Sequence, residues 1–219
     1  MAIRALSDHS DRRSVTYRML RGRSVADAVI VKDRDFDAHI FACLLAVAAT
    51  EEGTPGERLG LGGGDLTGLV ERWFPHAQSA LSACGAPAAA DDDDEIAMVR
   101  DLLLAHRSTP GDDSRWLATM IARRAMEPNH LWEDLGLRDR CELSRLLARH
   151  FGPLASRNTK NMRWKRFFYR TLCEADGLVM CSTPVCSSCG DFDLCFGDES
   201  GDSQLAYRRR AYALKAAAA

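Results

Sequence analysis

The chain has 219 residues, a formal net charge of −2 at pH 7 and a hydrophobic fraction of 46%. This is enough for one sizeable core, and the near-neutral charge gives no general reason to expect a nucleic-acid or membrane-surface partner. The longest uncharged apolar run, residues 38–50, is too short to span a bilayer, and the first residues lack a signal-peptide core. We therefore expect a cytoplasmic protein that keeps its thiols reduced.

The first part of the chain predicts helices joined by turns. Residues 37–50 have apolar positions at helical spacing, which predicts a buried helix that contains Cys43 as a small core residue. The glycine-rich segment 60–64 lacks the lysine of a phosphate-binding loop and follows no strand, so a turn is the simpler interpretation. This turn leads into a helix over 66–74 that is capped near Asp65 and ended by a proline.

The middle of the chain continues this pattern. The acidic run 91–95 is compatible with a cation site, but it also suits the first turn of a helix that reaches residue 106. Another helix is predicted over 115–126. No stretch shows a sustained alternation of apolar and polar residues, so the predicted fold class is all-α, a helical bundle with a loop-rich C-terminal metal-binding segment.

Two segments of the predicted bundle resemble each other. Leu59-Gly-Leu61 followed by Asp65-Leu-Thr-Gly-Leu-Val-Glu-Arg-Trp-Phe corresponds, with one inserted residue, to Leu135-Gly-Leu137 followed by Glu142-Leu-Ser-Arg-Leu-Leu-Ala-Arg-His-Phe. Each copy follows an apolar helix, which predicts two related helix–turn–helix units packed together. Two copies are too few for a solenoid, so convergence of packing is the alternative.

Four of the eight cysteines lie close together near the C-terminus, spaced C-x4-C-x2-C-x5-C. They are Cys181, Cys186, Cys189 and Cys195. Thiolates are soft ligands that can converge on one metal centre, and disulfides are less favoured in a chain without an export signal. Structural zinc sites usually join two C-x2-C pairs, whereas only one is present here, so the spacing favours an iron–sulfur cluster over zinc.

Two further residues are candidates for an additional ligand or a supporting contact. Cys173 precedes the cysteine segment and ends a predicted helix, where an ordinary core cysteine is the alternative. His130 follows Pro128 in a turn, where its imidazole is easily presented to a metal or hydrogen-bonded to nearby backbone. The sequence shows no catalytic constellation or complete cofactor fingerprint, so we expect a protein that is not an enzyme.

A basic helix is predicted directly before the cysteines. Residues 157–170 contain six cationic residues and no acid. The predicted buried stripe consists of Trp164, Phe167, Phe168, Thr171 and Leu172, which leaves Lys160, Arg163, Lys165, Arg166 and Arg170 on the other faces. These cations are candidates for docking an anionic cluster, molybdate or an acidic partner; a solvated helix face is the alternative.

Several of these segments resemble the NifQ family of nitrogen-fixation proteins. The similarity rests on Asn129–Leu137, on Asn161–Arg170, on Leu172-Cys-Glu174, and on the cysteine loop that closes in Cys195-Phe-Gly-Asp198. It covers roughly residues 115–200. The resemblance implies a carrier that holds molybdenum in an iron–sulfur environment, a Mo–Fe–S cluster or its 4Fe–4S precursor, with molybdate or another source supplying the metal. It also implies two partners, the scaffold complex that builds the nitrogenase iron–molybdenum cofactor and the nitrogenase iron protein.

The predicted organisation has four parts. Residues 1–36 are a polar extension, 37–172 the helical core, 173–200 the cysteine-rich metal loop and 201–219 the tail. Two other functions compete with the carrier: a zinc-stabilised interaction module and a small iron–sulfur electron carrier. Metal analysis of anaerobically purified protein separates the three.

Overall fold

The computed structural model describes residues 2–79, 93–175, 177, 195 and 197, and for residues 2–10 the backbone alone. In this part of the chain ten α-helices occur and no strand, so the all-α prediction is confirmed. The helices are α1 (Ala2–Arg21), α2 (Asp33–Ala48), α3 (Pro55–Leu59), α4 (Gly63–Trp73), α5 (Asp94–Ala105), α6 (Asp112–Ala125), α7 (Leu131–Asp134), α8 (Arg140–His150), α9 (Gly152–Ala155) and α10 (Trp164–Ala175).

The chain forms two compact units, residues 1–157 and residues 158–219. The first holds helices α1 to α9 and the second holds α10. The four-part organisation predicted from the sequence stays a prediction. The acidic run 91–95 is described only from Asp93, whose side chain caps α5 by accepting from the Glu95 N–H at 3.2 Å.

Helix α2 is the centre of the first unit. Every residue from Phe36 to Ala48 is buried, as predicted, and Cys43 is only 1% exposed. The helix begins at Asp33, four residues before the predicted start, because Asp33 and Asp35 place negative charge in its first turn, where the helix dipole favours it. A helix buried on every face from Phe36 onward needs neighbours on all sides, and α1 and α3 are among its main contacts.

Two helix pairs, α3 with α4 and α7 with α8, have the same turn between their members. Each short helix is followed by a glycine with left-handed φ, +68° at Gly60 and +73° at Gly136. The next residue in each case donates its N–H to a carbonyl five residues back, Leu61 to Gly56 and Leu137 to Trp132, both at 2.9 Å. This pattern satisfies carbonyls at the end of a helix and reverses the chain.

The longer helices of the two pairs also correspond. Asp65 lies in the first turn of α4 and Glu142 at the equivalent place in α8. The predicted cap at Asp65 is wrong: Gly62 occupies the capping position, and Asp65 is the third residue of the helix. In α8 the cap is Asp139, whose carboxylate accepts from the Glu142 N–H at 3.0 Å.

Candidate metal centre

A tight loop precedes the basic helix α10 and fixes where it begins. The Asn158 side chain spans this loop: its Oδ1 accepts from the Met162 N–H and its Nδ2 donates to the Met162 carbonyl, both at 2.8 Å. Asn161 has a left-handed φ of +53°, which asparagine adopts more readily than most residues. The loop therefore presents Arg163 in a defined position directly before α10.

Arg163 contacts the end of the cysteine segment with both its backbone and its side chain. Its N–H donates to the Cys195 carbonyl at 2.8 Å, and its Nε donates to the Gly197 carbonyl at 3.2 Å. The Arg163 carbonyl accepts from the Phe167 N–H at 2.9 Å, so Arg163 is the capping residue of α10. These contacts place Cys195 at the amino end of the basic helix.

Cys195 is the described member of the predicted ligand set. It is half-buried and forms no disulfide. Cys181, Cys186 and Cys189 lie outside the described residues, so the predicted convergence of the four thiolates stays a prediction. In the part of the chain that the structure describes, no group of three or more histidine, cysteine, aspartate or glutamate side chains is arranged to hold a metal ion.

The apolar face of α10 is close to the predicted one. Trp164, Phe167, Phe168 and Thr171 are buried, but Leu172 is half-buried. At about 100° per residue, Leu172 lies roughly 80° around the helix from Trp164, at the edge of the stripe. The helix continues to Ala175, so Cys173 does not end it, and its side chain is half-buried rather than in the core.

The predicted docking cations differ in their surroundings. Lys160 is exposed, while Lys165, Arg166 and Arg170 are half-buried. Arg170 donates from Nε to Glu174 at 2.7 Å, an ion pair within α10. Arg163 contacts Gly197, as described above. Part of the basic charge is thus already used inside this unit, and a docking role for the five residues stays a prediction.

His130 lies in the first unit, at the amino end of α7. It is 9% exposed, and its backbone N–H donates to the Glu133 carboxylate at 3.1 Å. The corresponding residue of the other helix pair is Thr54, whose N–H donates to Glu57 at 2.7 Å. His130 therefore occupies a helix-capping position, and a ligand role for it stays a prediction.

Sequence reasoning missed a buried polar cluster around His39. The Tyr17 hydroxyl donates to His39 Nδ1 at 2.6 Å, and His39 Nε2 donates to Glu142 at 3.2 Å. Burial alone would raise the pKa of Glu142, but hydrogen bonds from His39 and Arg138 outweigh it and lower the pKa to about 2. Burial raises the pKa of Tyr17 to about 12.

Cys43 borders this cluster, with its Sγ 3.6 Å from His39 Nε2. Burial raises the pKa of the Cys43 thiol to about 12, so the thiol stays protonated at neutral pH. Because the thiolate is the form that binds metals, Cys43 is a packing residue. The available signal in the sequence was a histidine in the otherwise apolar stretch 38–48.

A second buried polar group joins α2 to the end of α8. His150 Nε2 donates to Asp37 at 3.0 Å, and Arg149 donates from Nε and Nη2 to the same carboxylate, both at 2.8 Å. Burial opposes ionisation of Asp37, but these hydrogen bonds prevail and lower its pKa. The group is structural, because it joins two helices that lie far apart in sequence.

The fold and this centre define the class of protein. It is all-helical, and the last of its four closely spaced cysteines accepts a hydrogen bond from the residue that caps a basic helix. The NifQ family model matches residues 40–197, most of the chain. The chain therefore belongs to the NifQ family, which serves nitrogen fixation. No helix among the described residues has the length and apolar character needed to cross a membrane.

Individual relatives agree with this family. The chain is 43% identical to the "Protein NifQ homolog" of Sinorhizobium fredii (strain NBRC 101917 / NGR234) over 175 residues, which are 78% of this chain and 76% of that protein. It is 39% identical to "Protein NifQ" of Rhodobacter capsulatus over 142 residues, 65% of this chain and 77% of that one. The identity to "Protein NifQ" of Azotobacter vinelandii is 45% over 106 residues, which cover 48% and 54% of the two chains. No solved structure matches significantly.

Proposed function

We propose that the chain carries molybdenum in an iron–sulfur cluster on Cys181, Cys186, Cys189 and Cys195 and donates it to nitrogenase cofactor assembly. It receives molybdenum from molybdate or another source and passes it to the assembly scaffold complex, with the nitrogenase iron protein as a second partner. The carrier works in the cytoplasm, without nucleic acid or membrane, and catalyses no reaction of its own.

The observation that supports this proposal most directly is the position of Cys195. Its thiol is half-buried and outside any disulfide, and its carbonyl accepts a hydrogen bond from the residue that caps the basic helix α10. A cysteine outside a disulfide can supply a thiolate ligand, and an anionic cluster is favoured near a helix N-terminus and basic side chains. The donor set therefore fits a thiolate-bound cluster.

The four cysteine thiolates have the softness that iron–sulfur clusters require. When bound, the cluster supplies the iron and sulfide that surround molybdenum. The chain's own task is to hold its thiolates in place while leaving the cargo accessible to an acceptor. Lys160, Lys165 and Arg166 are placed along or before α10, where positive charge lowers the cost of holding an anionic cargo.

The test is metal analysis of anaerobically purified protein, with Cys195→Ser compared with Cys141→Ser. Cys141 is an exposed cysteine of α8, so its substitution controls for the loss of a thiol. We expect iron, sulfide and molybdenum in the wild type and in C141S, and a loss of most of this metal in C195S. The helical circular dichroism should be the same in all three proteins.

Three results would contradict a carrier that binds its metal on these cysteines. Colourless protein with one zinc per chain would identify a zinc-stabilised interaction module. An iron–sulfur cluster with a reversible one-electron couple and no molybdenum would identify an electron carrier. Equal metal loss in C141S and C195S would remove the specific role of the cysteine segment.

A further inference from the structure

We infer that Arg163 is a positioning residue that holds Cys195 and Gly197 in place for metal binding, through hydrogen bonds and not through its charge alone. The inference rests on the proposed function for its purpose. The contacts themselves are independent of that function: one residue donates from its backbone to the Cys195 carbonyl and from its side chain to the Gly197 carbonyl.

Two contacts restrain the segment more than one contact can. A single hydrogen bond at Cys195 would fix one point and leave the chain free to swing about it. The second bond, at Gly197, holds a second point, two positions further along the chain. The thiol of Cys195 then keeps a defined position relative to the start of α10.

The donor of both bonds is itself held in place. Asn158 bonds the N–H and the carbonyl of Met162, the residue directly before Arg163. On the other side, the Arg163 carbonyl is part of the first turn of α10. Arg163 is therefore fixed from both neighbours, and the segment that it contacts is held against a rigid support.

The guanidinium is suited to this role. A hydrogen bond from a charged donor is typically about twice as strong as one between neutral groups. The guanidinium keeps its positive charge while Nε donates a hydrogen bond, so Arg163 can restrain Gly197 and contribute positive charge at the same time. Substitution of Arg163 alone cannot separate these roles.

Arg166 provides the control that separates them. It lies in the first turn of the same helix, is also half-buried and carries the same charge. Arg163→Met and Arg166→Met each remove one positive charge from the same end of α10. A purely electrostatic role predicts similar effects of the two variants, whereas the positioning role predicts a larger effect of R163M.

The first measurement needs no metal. Hydrogen exchange of the residue-163 amide in the metal-free full-length chain reports how often its bond to the Cys195 carbonyl opens. We expect exchange about tenfold faster in R163M than in the wild type, and unchanged exchange in R166M, because a lost charged hydrogen bond typically changes such an equilibrium by this factor. If R163M does not fold, R163L with R166L gives the same comparison, because leucine also lacks a side-chain donor.

The second measurement uses protein reconstituted anaerobically with iron and sulfide. An iron chelator should remove iron several-fold faster from R163M than from R166M, because both variants lose one positive charge and only R163M also loses the bond to Gly197. Unchanged amide exchange in R163M would overturn the inference, as would equal changes in both variants. If the wild type takes up no cluster, the proposed function fails, while the amide exchange still decides whether Arg163 restrains the segment.

Discussion

The two helix pairs of the first unit have the same backbone arrangement but differ in what surrounds them. Asp65 in α4 binds Arg115 with two hydrogen bonds of 2.7 and 2.8 Å, and both side chains are more than a third exposed. Glu142, at the equivalent place in α8, is 5% exposed and binds His39 in the core. Local sequence thus determines the turn and the start of the helix. Burial determines how much the carboxylate at the equivalent position contributes to the free energy of unfolding.

The largest difference should appear at the two turn glycines. A Cβ on Gly136 would lie 2.4 Å from Val47 Cγ2 and 3.0 Å from the Cys43 carbonyl, whereas a Cβ on Gly60 would meet nothing closer than Arg123 Cβ at 3.3 Å. Both positions have positive φ, which alone costs about 1–2 kcal/mol for alanine. We expect Gly136→Ala to lower the free energy of unfolding by about 4 kcal/mol and Gly60→Ala by about 1–2 kcal/mol.

Urea unfolding of the two variants measures this difference. Equal losses would show that the neighbours of the second turn can move aside, and that the two pairs differ less in packing than the contacts indicate.

The next effect separates the two carboxylates. Glu142→Gln should cost about 3 kcal/mol at pH 7, because His39 and Arg138 lose a charged partner in a buried site. Asp65→Asn should cost about 1 kcal/mol, since its ion pair with Arg115 is solvated.

The difference between the two carboxylates should also appear in how the free energy of unfolding depends on pH. The folded pKa of Glu142, about 2, is lower than its ordinary value of 4.5, so its contribution to stability is present above pH 4.5 and is lost as the pH falls toward 2. Unfolding free energies measured between pH 7 and pH 3 should therefore fall less steeply in E142Q than in D65N. Parallel curves for the two variants would contradict the assigned role of Glu142.

The smallest effect concerns salt. The Arg115–Asp65 pair is exposed, so Arg115→Gln should cost less than about 1 kcal/mol, and the cost should shrink between 0.05 and about 1 M salt. Arg138→Gln should show a cost that depends less on salt, because its partner Glu142 is buried. Thermal unfolding at the two ionic strengths checks this, and equal salt dependence would remove the contrast between the pairs.

Much of the fold was predictable because its signals are local. Apolar spacing marked α2, and the repeated Leu-Gly-Leu marked both turns, since a left-handed residue after a helix favours glycine. The partners of His39 were not predictable, because Tyr17 and Glu142 lie 22 and 103 residues away. Pairing across such distances depends on the packed arrangement of helices and leaves no local pattern.

The candidate site was predictable in part for the same reason. Cysteine spacing and the basic helix are local patterns, and they marked Cys195 and Arg163. The hydrogen bonds that join these residues span 32 and 34 positions and involve backbone carbonyls, which any residue possesses. The sequence therefore indicated only a charge role for Arg163. The structure adds its hydrogen bonds to two backbone carbonyls, which cannot be predicted from residue types.

The burial of α2 has a consequence for synthesis on the ribosome. The helix is complete at Ala48, but the ion pairs that cover its Asp37 come from Arg149 and His150, 112 and 113 residues later. At about 5–20 residues per second, translation of the roughly 100 intervening residues takes on the order of 5–20 s. During this interval α1 and α3 are already available to pack on α2, but the part of the helix around Asp37 lacks its partners from α8 and stays exposed in the nascent chain.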